Sequence, residues 1–327
     1  MVSRVRVGVL GCADIARRRM LPALAAQPLV DLVAVASRDP DRAREFAEPY
    51  GCAPVHGYER LLDRADIDAV YIPLPTGMHA EWTLRALAAG KHVLCEKPCV
   101  TDPDEAARVA EAAGNHDLLV MESFMFLHHG QHRRVRALVE EGALGTLREI
   151  TADFGIPATP RSAAAASSLL ETGVYPLRLA RLFAGEDPEV LGATLSVDAG
   201  TRSDVAGSVL LRFPSGVTAR LGFGWRHSYR CVYELWGSAG RLVLDRAFTT
   251  PDDRAPVLRL ERPDGVQEMT LPPERQFVNT AGAFAEAVLR GTGYDAYTGD
   301  IVRQAALVAE VRRAAFAFAP AKKFHAV

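Results

Sequence analysis

An α/β fold is predicted: a doubly wound parallel sheet over residues 1–122, then an α+β domain with a large, mostly antiparallel open sheet over residues 123–327. Three observations predict it. From Val5 to Glu122, short and nearly continuous apolar runs alternate with helical stretches, as in βαβ units whose strands are buried on both faces. After Glu122 the apolar and polar residues alternate instead, in stretches separated by turn residues, as in strands with one solvated face. Small or charged residues with chemical capacity follow several of the first strands, at the sheet edge where ligands of open α/β folds bind.

The first strand, Val5 to Gly11, breaks at its glycine, and Cys12 to Ala16 opens a helix. Gly11-Cys12-Ala13-Asp14-Ile15-Ala16 is a reduced form of the dinucleotide turn Gly-x-Gly-x-x-Gly. Gly11 keeps the turn, Ala13 is small enough for backbone to approach a pyrophosphate, and Ala16 allows close helix packing. The N–H groups at the helix start would face the phosphates. A second strand, Asp31 to Ala36, is followed by Ser37-Arg38-Asp39, where an NAD enzyme usually carries an acid for the ribose. A carboxylate there repels a 2′-phosphate, whereas Ser37 and Arg38 can bond one, so NADP(H) is expected, with NAD(H) the alternative. The other reading of Ser37 is as the cap of the helix begun at Pro40.

The third long strand, Asp68 to Ile72, stops at Pro73-Leu74-Pro75, and a helix with His79 near its start runs to Ala89, capped by Gly90. Val93-Leu94-Cys95 is a buried strand that delivers Glu96, Lys97 and Pro98 to the sheet edge. Because a proline disfavours the α region in the residue before it, Lys97 is expected to be extended and aimed outward. A helix capped at Thr101-Asp102-Pro103 and a last strand, Leu118 to Glu122, complete the first domain.

In the second domain a helix from Gln131 to Glu141 precedes eight strand-like stretches: 147–154, 190–197, 205–213, 217–225, 231–236, 241–244, 257–261 and 266–271. Pro214-Ser215-Gly216 and Ser238-Ala239-Gly240 read as hairpin turns. Helices are expected near 170–183, 277–289 and 300–318.

Composition narrows the function. The 38 basic and 40 acidic side chains give a net charge of −2 without long runs of either sign, so no nucleic-acid or anionic-membrane footprint stands out. Five cysteines without paired spacing fit neither a disulfide framework nor a zinc site. His128, His129 and His132 lack a carboxylate or thiol to complete a metal set, and no metal is expected. The absence of a roughly 20-residue apolar run or a signal-peptide core points to the cytoplasm.

Four segments together resemble the Gfo/Idh/MocA oxidoreductases: Gly11 to Ala16, Pro73 to His79, Gly90 to Pro98 and Glu171-Thr172-Gly173-Val174-Tyr175-Pro176. Within that family, Ser37-Arg38, Met121 to His129 and Phe284 to Leu289 are most similar to the NADPH-dependent 3-ketoreductases of antibiotic deoxysugar pathways, of the kijanose type. The resemblance implies a Rossmann domain, NADP(H), a nucleotide-activated keto sugar reduced at C3, and a homodimer or homotetramer formed through the C-terminal sheet. It implies a cofactor site of Gly11, Cys12, Ala13, Asp14, Ile15, Ser37, Arg38, Pro73, Leu74, Pro75, His79, Glu96, Lys97 and Pro98. The substrate side is expected to include Lys97, Phe124, His128, Glu171 and Tyr175.

Lys97 and Tyr175 are the expected catalytic pair. Ketone reduction builds charge on the carbonyl oxygen, which a lysine cation stabilises, and it ends with a proton that a phenol near a lysine can donate. One departure stands out. The segment 157–168 is short, with an alanine-serine tract in place of the glycines that usually precede the acidic residue of the return helix. This change allows a different sugar, or a non-redox enzyme using the same pocket for isomerisation, cyclisation or elimination.

Overall fold

The structure, a computed structural model, describes residues 3–158 and 167–317. The chain forms two compact units. One is built from residues up to His129 together with Arg275–Ala305, the other from Gly130–Glu274 together with the stretch from Ala306 onward.

In the first unit six strands, β1 (Val5–Leu10), β2 (Val30–Ser37), β3 (Ala53–His56), β4 (Ala69–Ile72), β5 (His92–Cys95) and β6 (Val120–Glu122), pair in parallel in the order β3-β2-β1-β4-β5-β6. The chain winds outward from β1 to β3, then returns to β4 and winds the other way, so the order reverses between β1 and β4. Helices on both faces explain the near-continuous apolar strands: Val7, Val9, Leu10, Val70, Tyr71, Val93 and Cys95 are all buried. Helices α2 (Pro40–Ala47) and α5 (Pro103–His116) start with proline at the first position and an aspartate cap. Asp39 accepts from the N–H groups of Asp41 and Arg42, and Asp102 from those of Asp104 and Glu105. The cap of α2 is therefore Asp39 and not Ser37, whose hydroxyl instead accepts from the N–H of Asp39 at 3.1 Å.

The unit does not end where the local pattern changes at Glu122. Helix α8 (Gln276–Arg290) and the start of α9 (Tyr294–Ala317) return to it. Gln27 Nε2 donates to the Val278 carbonyl at 3.1 Å, Asn279 Nδ2 donates to the His128 carbonyl at 3.0 Å, and Ile301 and Ala305 join the apolar cluster of Trp82, Leu87 and Val93. These are tertiary contacts between residues far apart in sequence, which a pattern read along the chain does not contain.

The second unit is an eight-stranded sheet ordered β14-β13-β12-β11-β7-β10-β9-β8, antiparallel at every pairing except the parallel contact of β7 with β10. Its strands are β7 (Leu147–Gly155), β8 (Glu189–Val197), β9 (Asp204–Arg212), β10 (Thr218–Gly224), β11 (Arg230–Gly237), β12 (Arg241–Asp245), β13 (Val257–Arg262) and β14 (Gly265–Thr270). Both expected hairpins form: Phe213 N–H bonds the Val217 carbonyl and Gly237 N–H bonds the Gly240 carbonyl, each at 2.8 Å. Helix α7 (Val174–Ala184) packs on β7 and β10. Ile150, Ala152, Phe154, Ala219, Leu221 and Phe223 are buried, while the alternate residues Thr151, Asp153 and Arg220 line a groove of about 870 Å³ on the opposite face. Among the described residues no helix is long and apolar enough to cross a membrane.

Candidate active site

The reversal of strand order between β1 and β4 marks the crevice where an open α/β sheet holds a ligand. Gly11 lies there directly after β1 with φ +121°, a backbone state that suits glycine, and its N–H bonds the Ala36 carbonyl at 2.9 Å. A Cβ on Gly11 would stand 2.8 Å from Leu74 Cδ2, so Leu74, buried after β4, closes on the bare backbone. Pro73 is buried beside it and Pro75 is exposed. Helical structure begins at Asp14, passes through a π-helical turn, Ala16–Met20, and continues as α1 (Leu21–Ala26). The first N–H groups of any helix lack intrahelical partners, so this start beside Cys12, Ala13 and Ile15 offers donors for a pyrophosphate. Asp14 itself is exposed and pairs with Arg18 one turn on.

Ser37 ends β2, 6% exposed, and Arg38 follows it in solvent. A third group joins them. Arg42 Nη2 donates to the Cys12 carbonyl at 2.8 Å, and Cys12 Sγ lies 3.5 Å from the Arg42 carbonyl. Burial raises the Cys12 thiol above its usual range, against the pull of the Ser37 hydrogen bond and of the Arg42 and Arg17 cations. The guanidinium of Arg42 is thus fixed beside the dinucleotide turn, in a set with Ser37 that fits a 2′-phosphate.

Glu96, Lys97 and Pro98 follow β5 at the same edge, Lys97 half-buried and joined to Pro98 by a cis peptide bond. Three side chains fix this loop. Tyr71 of β4 donates to Glu96 Oε1 at 2.8 Å, Glu122 of β6 accepts from the Cys99 N–H at 2.8 Å, and His79 sets one ring nitrogen 2.7 Å from the Pro98 carbonyl. Burial first, then the Glu96 carboxylate, hold the Tyr71 phenol well above its usual range, so it remains a donor. A buried hydrogen bond to a charged group is worth about 1.5–3 kcal/mol. The other oxygen of Glu96 lies 3.3 Å from the Lys97 N–H.

His79 is 1% exposed, and its second ring nitrogen lies 2.7 Å from the Leu74 carbonyl, so the ring sits between the loops that follow β4 and β5. Phe124, expected near substrate, is likewise 1% exposed and packs edge-on against Phe126 with ring centres 6.0 Å apart. Large aromatics just after a strand are what a core needs. His128 is half-buried at the end of a short 3₁₀ turn, Met125–His128.

Glu171 and Tyr175 belong to the second unit. Glu171 is half-buried in a π-helical turn, Leu169–Gly173, one turn before Tyr175 on α7. Tyr175 is 5% exposed, with the Phe154 ring edge-on at 5.1 Å and the Phe248 ring tilted at 5.7 Å. Of the altered segment 157–168, residues 159 to 166 lie outside the described residues.

Residues 5–124 match the family described as "Oxidoreductase family, NAD-binding Rossmann fold", and residues 132–243 match the "GFO/IDH/MocA C-terminal domain". The chain belongs to the Gfo/Idh/MocA oxidoreductase family. Among members of this family, the dTDP-3,4-didehydro-2,6-dideoxy-alpha-D-glucose 3-reductase of Actinomadura kijaniata is 48% identical over 317 residues, 95% of this chain and 96% of the relative. The enzyme of the same name from Saccharopolyspora spinosa is 49% identical over 322 residues, covering 95% and 97%. A crystal structure of a 3-ketoreductase from Actinomadura kijaniata with TDP-benzene and NADP superposes with a TM-score of 0.90 at 49% identity, over 95% of this chain and 98% of that one. The two-part fold read from the sequence is thus the fold of the Gfo/Idh/MocA family.

Tyr71, Glu122 and Arg42 were not singled out by sequence. Only Tyr71 left a signal there, since a phenol inside a fully apolar strand has to find a buried partner.

Proposed function

We propose that the protein reduces the 3-keto group of a dTDP-linked deoxysugar with NADPH. The observation that carries this reading is Lys97, half-buried at the carboxyl edge of β5 in a loop fixed from β4, α4 (His79–Ala88) and β6, in a chain 48% identical to a dTDP-sugar 3-reductase over 95% of its length. NADPH, when bound, supplies hydride to the carbonyl carbon. The Lys97 ammonium stabilises the negative charge that builds on the carbonyl oxygen, and the Tyr175 hydroxyl gives that oxygen its proton. Glu96, fixed by Tyr71, orients the lysine backbone. Ser37, Arg38 and Arg42 hold the 2′-phosphate, which sets NADPH above NADH. Solved variants of the Actinomadura 3-ketoreductase in which one lysine becomes alanine or one tyrosine becomes phenylalanine agree with a lysine and a tyrosine as the groups of interest.

The test is NADPH consumption with a dTDP-linked 3-keto deoxysugar. Lys97→Ala should lower kcat by about 10²–10³, the usual effect of removing a group that stabilises an oxyanion, and leave NADPH affinity near its starting value. Purified protein that binds NADPH and consumes none with any 3-keto or 4-keto nucleotide sugar refutes the reading.

Two copies are proposed to pair through the open face of the eight-stranded sheet, which exposes Leu210 (40%) and Trp236 (54%). Light scattering that gives a strict monomer removes this part. A cytoplasmic location fits the five free cysteines.

A further inference from the structure

The second unit contains a buried polar cluster that the proposed reaction does not use. Gln131 and His132, at the start of α6 (Gly130–Glu140), are each 1% exposed. Gln131 Nε2 lies 3.1 Å from the Ala247 carbonyl and 3.0 Å from Thr250 Oγ1, and His132 Nε2 lies 2.9 Å from the same carbonyl. A carbonyl only accepts, so His132 Nε2 carries its hydrogen. His132 Nδ1 lies 3.3 Å from the Tyr233 hydroxyl, whose ring stacks on the imidazole at 5.7 Å. The bonds to Ala247 and Thr250 converge on one turn, residues 246–250, just after β12.

That turn is pinned from its other side as well. Ala247 N–H bonds the Cys231 carbonyl at 3.1 Å, Phe248 N–H reaches Cys231 Sγ at 3.2 Å, and Thr250 Oγ1 bonds the Arg246 carbonyl at 2.6 Å. Arg246 sits at φ +56°, a left-handed state that residues with a side chain adopt rarely, and its guanidinium lies over the Tyr229 ring at 4.2 Å. So many bonds on five residues fix the direction of Phe248, the turn's one fully buried ring. Phe248 touches Tyr175 at 5.7 Å and Phe154 at 5.3 Å, and Phe154 closes on Tyr175 at 5.1 Å. A mutual triangle of three rings allows Tyr175 little freedom, because a shift of any one displaces the other two.

We infer that Gln131 and His132 are positioning residues for Tyr175, acting through the turn 246–250 and the ring of Phe248. The inference rests on the proposed role of Tyr175 as proton donor. It explains why two polar side chains are buried at the start of a helix, where solvent exposure would otherwise suffice. The cluster holds the phenol at the angle its proton transfer needs.

The test uses His132→Leu, which removes the ring's hydrogen-bonding nitrogens, and His132→Gln, whose amide can still donate to the Ala247 carbonyl. Phe248→Leu perturbs the last link alone and takes over if His132→Leu does not fold. Each is made in the wild type and in Tyr175→Phe, and kcat, both KM values and the ¹³C ring signal of Tyr175 in tyrosine-labelled protein are measured. The expected result is a displaced Tyr175 signal and a kcat lowered about 10-fold or more, with KM changed less than about 2-fold, recovery in His132→Gln, and under about 2-fold further loss in Tyr175→Phe, as coupled residues require. A Tyr175 signal unmoved by both His132→Leu and Phe248→Leu overturns the inference, as does a kcat loss that persists unchanged in Tyr175→Phe. A displaced signal with unchanged kcat supports the positioning chain and refutes Tyr175 as the proton donor, so the two failures are told apart.

Discussion

Gly11→Ala separates the dinucleotide turn from ordinary backbone. At φ +121° an added side chain strains the backbone by about 1–3 kcal/mol. The new methyl would also meet Leu74 Cδ2 at 2.8 Å, and because that atom is the tip of a flexible side chain it can move aside at a cost of about 1 kcal/mol. Together these lower Tm by about 4–8 °C, at about 2 °C per kcal/mol for a chain of this size. Moving Leu74 also opens the crevice wall where the pyrophosphate is proposed to lie, so the Kd for NADPH should rise about 10-fold, equal to about 1.4 kcal/mol. Gly216→Ala is the control. Its φ is +86°, yet nothing lies within 4 Å of a new Cβ at that hairpin tip, so it should lose stability and keep NADPH affinity. Thermal melts and titration of NADPH fluorescence measure both variants. Unchanged affinity in Gly11→Ala, or an equal loss in Gly216→Ala, refutes the placement of the cofactor at this turn.

Arg42→Ala should weaken NADPH binding by about 10-fold, the worth of one charge-assisted phosphate contact, while NADH binding stays the same; equal losses for both cofactors would count against a 2′-phosphate partner. Tyr71→Phe leaves Glu96 Oε1 without its buried donor, so stability should fall by about 1.5–3 kcal/mol in urea titration, with kcat falling as the Lys97 loop loosens. Burial raises both Tyr71 and Tyr233 well above the usual phenol range. A proton held more tightly in the folded state leaves stability intact below about pH 10, where unfolded tyrosine ionises, and its loss erodes stability above by about 1.4 kcal/mol per pH unit for each residue. Urea midpoints between about pH 9 and 11.5 should fall less steeply by one proton in Tyr233→Phe.

Most of the architecture is local in origin and so could be read along the chain. Buried parallel strands such as Val93-Leu94-Cys95 announce themselves by unbroken apolar runs. The eight-stranded sheet announces itself by alternation, as in Ile150, Ala152 and Phe154 against Thr151 and Asp153. Caps at Asp102 and turns at Gly216 follow from backbone chemistry within a few residues. What stayed illegible depends on residues brought together from afar. Tyr71 meets Glu96, and His79 meets Pro98, only because β4 and β5 lie side by side. His79 and Phe124 are buried, and no local pattern distinguishes a buried histidine set between loops from an exposed one. The parallel pairing of β7 with β10 belongs to the same class, since alternation sets the face of a strand and not its neighbour.

The first unit is discontinuous, and this orders events during synthesis. Its last helices, residues 275–305, emerge only after the 145 residues from Gly130 to Glu274 have been made, roughly 7–30 s later at ordinary elongation rates. Through that interval Gln27 lacks Val278, and the cluster around Trp82 lacks Ile301 and Ala305. The half of the chain that carries the dinucleotide turn is translated first yet completed only after most of the second unit has been made, so a ribosome stalled within the eight-stranded sheet would hold a nucleotide-binding unit that is still open on one side.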